Sequence, residues 1–316
     1  MILGSLITLN SNSLISMWAG LEINMMAFIP LIKKKMSKTS AEAIMIYFLV
    51  QSVSSSMMVF SMIMTMMCME HMNLMNMILF MSLLMKMGAA PFHMWVPEIM
   101  SKMDWNSCIM LMTWQKLAPL SMTMNITIEE KVMIPAVMLS TVIGSIGGIN
   151  QTSLRKILAY SSINHLAWMM ITMKTQNNWL TYLMMYSVMT TTICTMFNKY
   201  NMSFINQINS MNLSMTEKMA YMMSMMSLGG LPPFIGFLPK WMIIQSMINS
   251  NMFLTMTLMI MFSLVTLFYY MRTMSLMMIH QSTLNKWIVV KSNPLLIKWT
   301  ISMNLSLPIV LIMNFL

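Results

Sequence analysis

Charged side chains are scarce in this sequence. Only 8% of its 316 residues are Asp, Glu, Lys or Arg, whereas 58% are hydrophobic. Soluble domains carry about 25% charged residues, so this composition excludes a water-soluble fold. Apolar windows of about twenty residues recur from end to end, and the largest polar gaps, 198–217 and 273–293, are too short for an extramembrane domain. The sequence therefore predicts an all-α, polytopic membrane protein with a single transmembrane domain over residues 1–316.

Cysteine and glycine are also rare. Cys68, Cys108 and Cys194 fall in separate segments without CxxC spacing, which argues against a disulfide framework or a thiolate metal site. The sequence has no glycine-rich dinucleotide loop and no cysteine cluster for iron–sulfur ligation. We therefore expect no metal and no redox cofactor in this chain. The N-terminus has no basic region followed by a cleavage site, so we expect no signal peptide.

Methionine is present in great excess, at 55 residues. Gap-filling in a packed core does not require so many. Animal mitochondria read the isoleucine codon AUA as methionine, and we interpret the excess as a coding bias of that kind. The composition thus indicates an organelle genome.

The apolar pattern predicts eleven helices, with the ninth long and interrupted. Their approximate bounds are 1–10, 13–32, 42–67, 73–96, 106–125, 132–150, 154–173, 178–198, 217–248, 252–271 and 296–315.

Threading these helices alternately through a membrane sorts the basic residues. Most of them fall on one side, here called the basic side. Lys131 and Lys174 fall on the other, near Glu129 and Glu130. Such an asymmetry is typical of membrane topology and supports the helix count. It also accounts for most of the net charge of +10, so we expect no nucleic-acid partner.

Four charged residues remain within the apolar segments: Glu22, Lys86, Lys116 and Lys240. Glu22 lies eleven residues before Lys33, or roughly 16 Å from the basic interface at 1.5 Å per residue, near the middle of a ~30 Å hydrocarbon layer. A charge at that depth costs at least ~2.5–3.5 kcal/mol. Four such residues need a compensating role.

Two interpretations compete for these charges. Each could snorkel to the interface or form a static ion pair. However, a lysine stem cannot span half the layer, and one glutamate cannot neutralise three lysines. Alternatively they form a proton path, because burial disfavours the charged form of lysine and a nearby carboxylate favours it. His165, in YSSINHLAWMM, could relay protons between the lysines or could be a hydrogen-bonded core histidine.

Prolines accompany the buried lysines. Pro91 and Pro119 each leave a helix carbonyl without its donor, and Pro239 precedes Lys240 after the break SLGGLPP at 227–233. Interrupted helices beside ionisable groups are typical of transporters with inverted repeats. If helices one to five and six to ten are two halves, the fourth helix of each is interrupted and carries a lysine. We therefore predict inverted five-helix repeats.

The motifs resemble the antiporter-like proton-pumping membrane subunits of respiratory complex I. Five stretches carry the resemblance: WAGLEINMMAFIP (18–30), LLMKMGAAPFHMWVPE (83–98), LMTWQKLAP (111–119), IGGINQTSLRKILAYSSINHLAW (146–168) and SLGGLPPFIGFLPKWMIIQ (227–245). The resemblance implies that Glu22 pairs with Lys86 and that Lys116 and Lys240 continue the path. One departure is Ile46, in AEAIMIYF, where that family usually has a lysine.

The resemblance also implies the setting. It places the chain in the mitochondrial inner membrane, among other complex I subunits and lipids such as cardiolipin. NADH, flavin mononucleotide, iron–sulfur clusters and ubiquinone would then belong to partner subunits. Two alternatives remain open: a stand-alone cation/proton antiporter, which would use the same interrupted helices, and a membrane spacer that only holds the arms of the complex together.

Overall fold

The computed structural model describes residues 1–33, 37–67, 72–127, 129–175, 178–210, 214–279 and 294–308. Within these residues the chain forms fifteen α-helices and no named strand, with one isolated bridge between Ser153 and Phe204. The predicted all-α class is confirmed. Cys108 and Cys194 are buried free thiols, and Cys68 lies outside the described residues.

The helices follow one another through short connections. Their bounds are α1 Ile2–Asn10, α2 Leu14–Ile32, α3 Lys38–Met67, α4 Met72–Met87, α5 Trp95–Lys102, α6 Trp105–Met112, α7 Trp114–Asn125, α8 Glu130–Ile149, α9 Leu154–Thr175, α10 Trp179–Lys199, α11 Ile205–Ser210, α12 Met215–Gly229, α13 Phe237–Asn249, α14 Phe253–Ile279 and α15 Pro294–Asn304.

Five of the described helices are long and apolar enough to span a membrane. They cover Leu14–Ile32, Lys38–Thr65, Glu130–Ile149, Trp179–Lys199 and Phe253–Met277. Large apolar side chains remain exposed along them, as at Phe60, Leu254 and Phe268, because their solvent is lipid. The chain is therefore a polytopic membrane protein.

Helix α9 forms the centre of the molecule. Every residue from 161 to 172 is buried, so this helix contacts protein on all sides. It packs most extensively on α8, where the two backbones approach closely at Gly144. A Cβ at Gly144 would lie 2.8 Å from the Asn164 backbone nitrogen. Small residues allow such close helix crossings in membranes. Because α9 does not face lipid, it can carry polar side chains at membrane depth.

Three of the predicted helices are divided in the structure. The fourth ends at Met87, the loop 88–94 contains Pro91, and α5 begins at Trp95, so this helix is interrupted, as predicted for the fourth helix of each half. Gly88 ends α4 with φ +71°, a conformation that disfavours other residues. The ninth predicted helix is interrupted at 230–236, as its Gly-Gly-Leu-Pro-Pro sequence predicts.

The third division was not predicted. The fifth helix is split at Thr113 into α6 and α7, six residues before Pro119, and sequence reasoning missed this break. Thr113 donates through its hydroxyl to the Ile109 carbonyl at 2.8 Å, which satisfies the end of α6. The short helix α11 was also missed, because it lies in a segment read as a polar connection.

Candidate functional site

Glu22 and Lys86 form a direct ion pair. Lys86 is in the last turn of α4, and its Nζ lies 3.4 Å from the Glu22 Oε1 on α2. The Lys86 side chain is 2% exposed and the Glu22 side chain 22%. The neighbouring backbone is held in place from two sides: Gln51 donates to the Lys86 carbonyl at 3.3 Å, and the Trp95 indole donates to the Met85 carbonyl at 3.1 Å. The break after α4 therefore fixes Lys86 opposite Glu22.

A small cavity separates Lys86 from Lys116. Its volume of about 20 Å³ exceeds the roughly 10–15 Å³ that one water molecule requires. Both lysines line it, together with Asn24 and Gln115. The side-chain amide of Asn24 and the Gln115 Nε2 are buried and have no hydrogen-bond partner in the described part of the chain. Because unpaired buried amides are costly, this cavity suits ordered water that connects the two lysines.

Lys116 points from α7 to the centre of α9. Its Nζ donates to the Ser162 carbonyl at 3.0 Å and lies 5.1 Å from the centre of the Tyr186 ring. The residue is 3% exposed. Among the described residues no carboxylate makes an ion pair with Lys116. A backbone dipole and an aromatic face are weaker compensation than a counter-ion, so burial penalises the protonated form.

Lys240 also approaches α9. It does so from α13, the helix that follows the break at 230–236. It lies in the first turn of α13, and its Nζ donates to the Gly229 carbonyl, the last of α12, at 2.9 Å. The negative end of the α12 dipole therefore replaces a carboxylate. The Nζ also lies 5.9 Å from the centre of the Trp168 ring on α9. Gly230, at φ +77°, leaves room for this side chain.

His165 lies between the contacts of Lys116 and Lys240. The three α9 positions involved, Ser162, His165 and Trp168, are each three residues apart and so span about 9 Å along the helix. His165 shares a 2.8 Å hydrogen bond with the Tyr182 hydroxyl, and its ring packs 4.8 Å from the ring of Tyr186. Tyr186 thus contacts both His165 and Lys116. The structure brings all the predicted residues into one chain of neighbours.

A second small cavity lies beside Tyr182, the hydrogen-bond partner of His165, near the end of α9 that carries Lys174. It is lined by Tyr182 and by hydroxyls at the ends of α9 and α13, among them Thr172, Thr175 and Ser246. Ser246 donates to the Thr175 hydroxyl at 3.0 Å. Nearby, Lys174 forms an ion pair with Glu130, the neighbour expected from the charge pattern. Polar groups therefore extend from His165 to this end of α9.

Several contributors were not found by sequence reasoning. Tyr182, Tyr186 and Trp168 read as ordinary aromatic residues of apolar helices, and no spacing signal connects them with the lysines. Gln115, adjacent to Lys116, could have been noticed as a second polar residue at membrane depth. Ile46, the departure from the family pattern, is partly buried against the apolar core. Within the described residues no group of three or more His, Cys, Asp or Glu could hold a metal ion.

Comparison with known protein families identifies a family that matches this chain. A sequence profile described as NADH:quinone oxidoreductase/Mrp antiporter, transmembrane, matches residues 11–266. The chain belongs to this NADH:quinone oxidoreductase/Mrp antiporter family. The match includes all five candidate site residues.

Individual relatives agree with the family. The chain is 41% identical over 307 residues to NADH-ubiquinone oxidoreductase chain 2 of Locusta migratoria, covering 94% of this chain and 89% of the relative. Over 302 residues it is 43% identical to the protein of the same name from Anopheles gambiae, covering 92% and 87%.

Solved structures share the fold. A chain of respiratory complex I from Thermus thermophilus superimposes with a TM-score of 0.84 at 20% identity, covering 95% of this chain and 73% of the other. A chain of the Mrp complex from Dietzia superimposes with a TM-score of 0.78 at 15% identity, covering 85% and 57%. The antiporter-like membrane fold is therefore common to both kinds of assembly.

Proposed function

We propose that this chain is a membrane-arm subunit of respiratory complex I and translocates protons across the membrane as NADH is oxidised by ubiquinone. The observation that carries the proposal is the series of buried lysines Lys86, Lys116 and Lys240, of which only Lys86 has a carboxylate partner in the described residues. Lys116 and Lys240 contact α9, and a small cavity connects Lys116 with Lys86. Buried amines without counter-ions can release and accept protons with little reorganisation. The relatives at 41% and 43% identity are named as chains of NADH-ubiquinone oxidoreductase, which favours this assembly.

The proposed path runs from Glu22 to Lys86, through the first cavity to Lys116, and along α9 by Tyr186 and His165 to Lys240. The second cavity, beyond Tyr182, is the proposed route of release. Glu22 favours the protonated form of Lys86 while it is charged and close. When the carboxylate is neutralised or drawn away, burial drives the proton towards Lys116.

The proposal extends to topology and setting. Pairing α4 with α5, α6 with α7 and α12 with α13, and leaving out the six-residue α11, gives eleven spans. The breaks at 88–94 and 230–236 then fall in the fourth span of each five-helix half. One antiporter-like domain over residues 1–316 follows. The setting would be the mitochondrial inner membrane, beside other complex I subunits and lipids such as cardiolipin. Flavin mononucleotide, iron–sulfur clusters and the NADH and ubiquinone sites would lie in those partners.

Replacing Lys116 by methionine tests the proposal. In assembled complex, Lys116→Met removes the central amine and should slow coupled turnover on the order of tenfold, which is about 1.4 kcal/mol of barrier. It should also lower the number of protons moved per NADH. Lys131→Met, at an exposed lysine outside the path, is the matched control and should behave as the parent.

The measurement is NADH oxidation together with proton uptake or release in sealed vesicles. An unchanged proton-to-electron ratio in Lys116→Met would support the spacer alternative and remove the proposal. Migration of the chain apart from any assembly with NADH dehydrogenase activity would favour the stand-alone antiporter.

A further inference from the structure

Glu217 is an isolated carboxylate with no part in the path described above. It is the only Asp or Glu after residue 130, in a region that holds Lys199, Lys218, Lys240 and Arg272. Its side chain is 0% exposed, accepts a hydrogen bond from the Tyr200 hydroxyl, and lies 3.7 Å from the Lys199 Nζ. It also forms the capping box of α12 with Ser214. Glutamine serves a capping box as well, so capping alone does not explain a buried acid here.

Four buried tyrosines lie between Glu217 and the centre of α9. Tyr186, Tyr221, Tyr269 and Tyr270 are each at most 1% exposed. Within the described residues none of their hydroxyls makes a hydrogen bond of normal geometry. Phenylalanine would fill such positions without this cost, since an unpaired buried hydroxyl is unfavourable. Each hydroxyl does face a second one: Ser162 for Tyr186, Thr273 for Tyr221, Ser161 for Tyr270 and Tyr270 for Tyr269. The tyrosines therefore form a string of neighbouring hydroxyls with unused bonding capacity, the kind of site that ordered water completes.

The tyrosines join Glu217 to the centre of α9 in steps. Tyr221 is one turn above Glu217 on α12, a rise of about 6 Å, and its hydroxyl faces that of Thr273 on α14. Thr273 is one turn from Tyr270 and donates to the Tyr270 carbonyl at 2.8 Å.

The next steps reach α9. The Tyr270 hydroxyl faces Ser161, four residues before His165, and the Tyr270 ring lies 4.8 Å from that of Tyr269. Tyr186, which contacts His165 and Lys116, is close enough to Tyr270 to interact with it electrostatically. Polar atoms thus recur at each turn from Glu217 to the lysine centre.

This series begins at the basic side. Glu217 lies in the first turn of α12, and its partner Lys199 ends α10 with a side chain 22% exposed. Arg272, beside Thr273 on α14, donates to the Gln151 carbonyl in the connection between α8 and α9 at 2.8 Å. These helix ends all lie on the side that collects the basic residues. The first residue of the series therefore lies just beneath that surface.

We propose that Glu217, Tyr221, Tyr270, Tyr269 and Tyr186 form a hydrated proton-uptake branch from the basic side to the centre at Lys116 and His165. This inference rests on the proposed function and names where that function takes up its proton. It assigns roles to Glu217, Tyr221, Tyr269 and Tyr270, which the lysine path leaves unused, and it joins that path at Tyr186.

Each transfer along the branch conserves atoms and charge. The Glu217 carboxylate accepts a proton from a hydronium ion at the basic side, which becomes water, and passes it to the next water, which becomes a hydronium ion. A tyrosine hydroxyl accepts a proton on its oxygen from the water behind and gives up its own proton to the water ahead, so it ends unchanged. The neutral amine of Lys116 accepts the last proton and becomes an ammonium.

Tyr270→Phe tests the branch in assembled complex, because it removes the hydroxyl and keeps the ring. We expect coupled turnover to fall severalfold and the solvent isotope effect, the ratio of rates in H₂O and D₂O, to rise, because proton uptake becomes limiting. Tyr160→Phe is the matched control. Tyr160 precedes Ser161 on α9 but packs on Gly147 of α8. It should keep the parental rate and isotope effect.

Glu217→Gln and Glu217→Asp give an independent test. Glutamine preserves the capping box and the contact with Tyr200 but cannot bind a transferable proton, so it should reproduce the effect of Tyr270→Phe. Aspartate should restore much of the lost rate. A parental isotope effect in assembled Glu217→Gln would overturn the branch, even if Tyr270→Phe prevented assembly. With Lys116→Met still impairing pumping, that result would leave the proposed function standing; parental behaviour of Lys116→Met would remove both.

Discussion

Glu22 and Lys86 form an asymmetric pair at the scale of single residues. The lysine is enclosed, whereas about a fifth of the glutamate side chain is exposed. At a separation near 4 Å and an effective dielectric of about 20, two unit charges interact by about 4 kcal/mol, and partial exposure of Glu22 reduces that figure. The carboxylate is therefore the partner whose charge a neighbouring subunit or water can change. Lys86 responds to it from a fixed position.

A double-mutant cycle tests this coupling. Glu22→Gln and Lys86→Met should each lower NADH-driven proton pumping, and the double variant should be about as impaired as the worse single variant, because both disable one step. Glu22→Asp should keep much of the activity if the shorter side chain still reaches Lys86. The readout is the initial rate of pumping in complex of verified assembly. Losses that simply multiply in the double variant would show that the pair is a fixed bridge without a switching role.

The charged residues at membrane depth could be predicted from the sequence more readily than the residues that surround them. Glu22, Lys86, Lys116 and Lys240 stand out because a charge in an apolar helix needs a reason. The structure pairs Glu22 with Lys86 and brings Lys116 and Lys240 to α9. Tyr186 gives no such signal, because a tyrosine in an apolar helix is unremarkable until its neighbours are known. The contacts of Lys240 with Gly229 and Trp168 depend on how α9, α12 and α13 pack, which no local pattern encodes.

At the scale of elements, the interruptions in the helices determine the position of each buried lysine side chain. Lys240 can reach the Gly229 carbonyl because the chain turns back at Gly230, which has φ +77°. A helix running on from α12 would use that carbonyl for its own next turn and leave the lysine without an acceptor. Predicting the break required only Gly-Gly-Leu-Pro-Pro. The break at Thr113 was missed because its signal is a single proline six residues later.

Alanine substitutions at Gly229 and Gly230 test whether the turn at Gly230 positions Lys240. Gly230→Ala should destabilise the subunit by about 1–2 kcal/mol through its left-handed backbone, and its Cβ would lie 2.9 Å from the Lys240 Nζ. Gly229→Ala is the matched control, since its Cβ would meet Leu267 at an ordinary 3.5 Å. The temperature at which the assembled complex is thermally inactivated and its proton-to-electron ratio should both fall for Gly230→Ala alone. Equal behaviour of the two variants would mean that the turn at Gly230 does not position Lys240.

At the scale of the whole molecule, the proposed topology polarises the chain across the membrane. Lys38 begins α3 and Lys131 follows α7, and both side chains are exposed. Between them the chain passes through α3, then α4 with α5, then α6 with α7, which is three crossings in the proposed topology. An odd number of crossings puts the two lysines on opposite sides. If the basic side faces the mitochondrial matrix, as positively charged loops face the cytoplasm in bacteria, the direction of the proton path is fixed as well.

Single cysteines at these two lysines test the polarity. Cys108 and Cys194 are buried, so replacing Cys68 by serine leaves a background suited to a membrane-impermeant maleimide. In sealed vesicles whose intermembrane-space face is outermost, Lys131→Cys should be labelled. Lys38→Cys should react only after the membrane is permeabilised, and inverted vesicles should reverse the pattern. Labelling of both from one face would require an even number of crossings. The two halves would then no longer be inverted, and the paths from Glu217 and through Tyr182 would no longer lead to opposite sides.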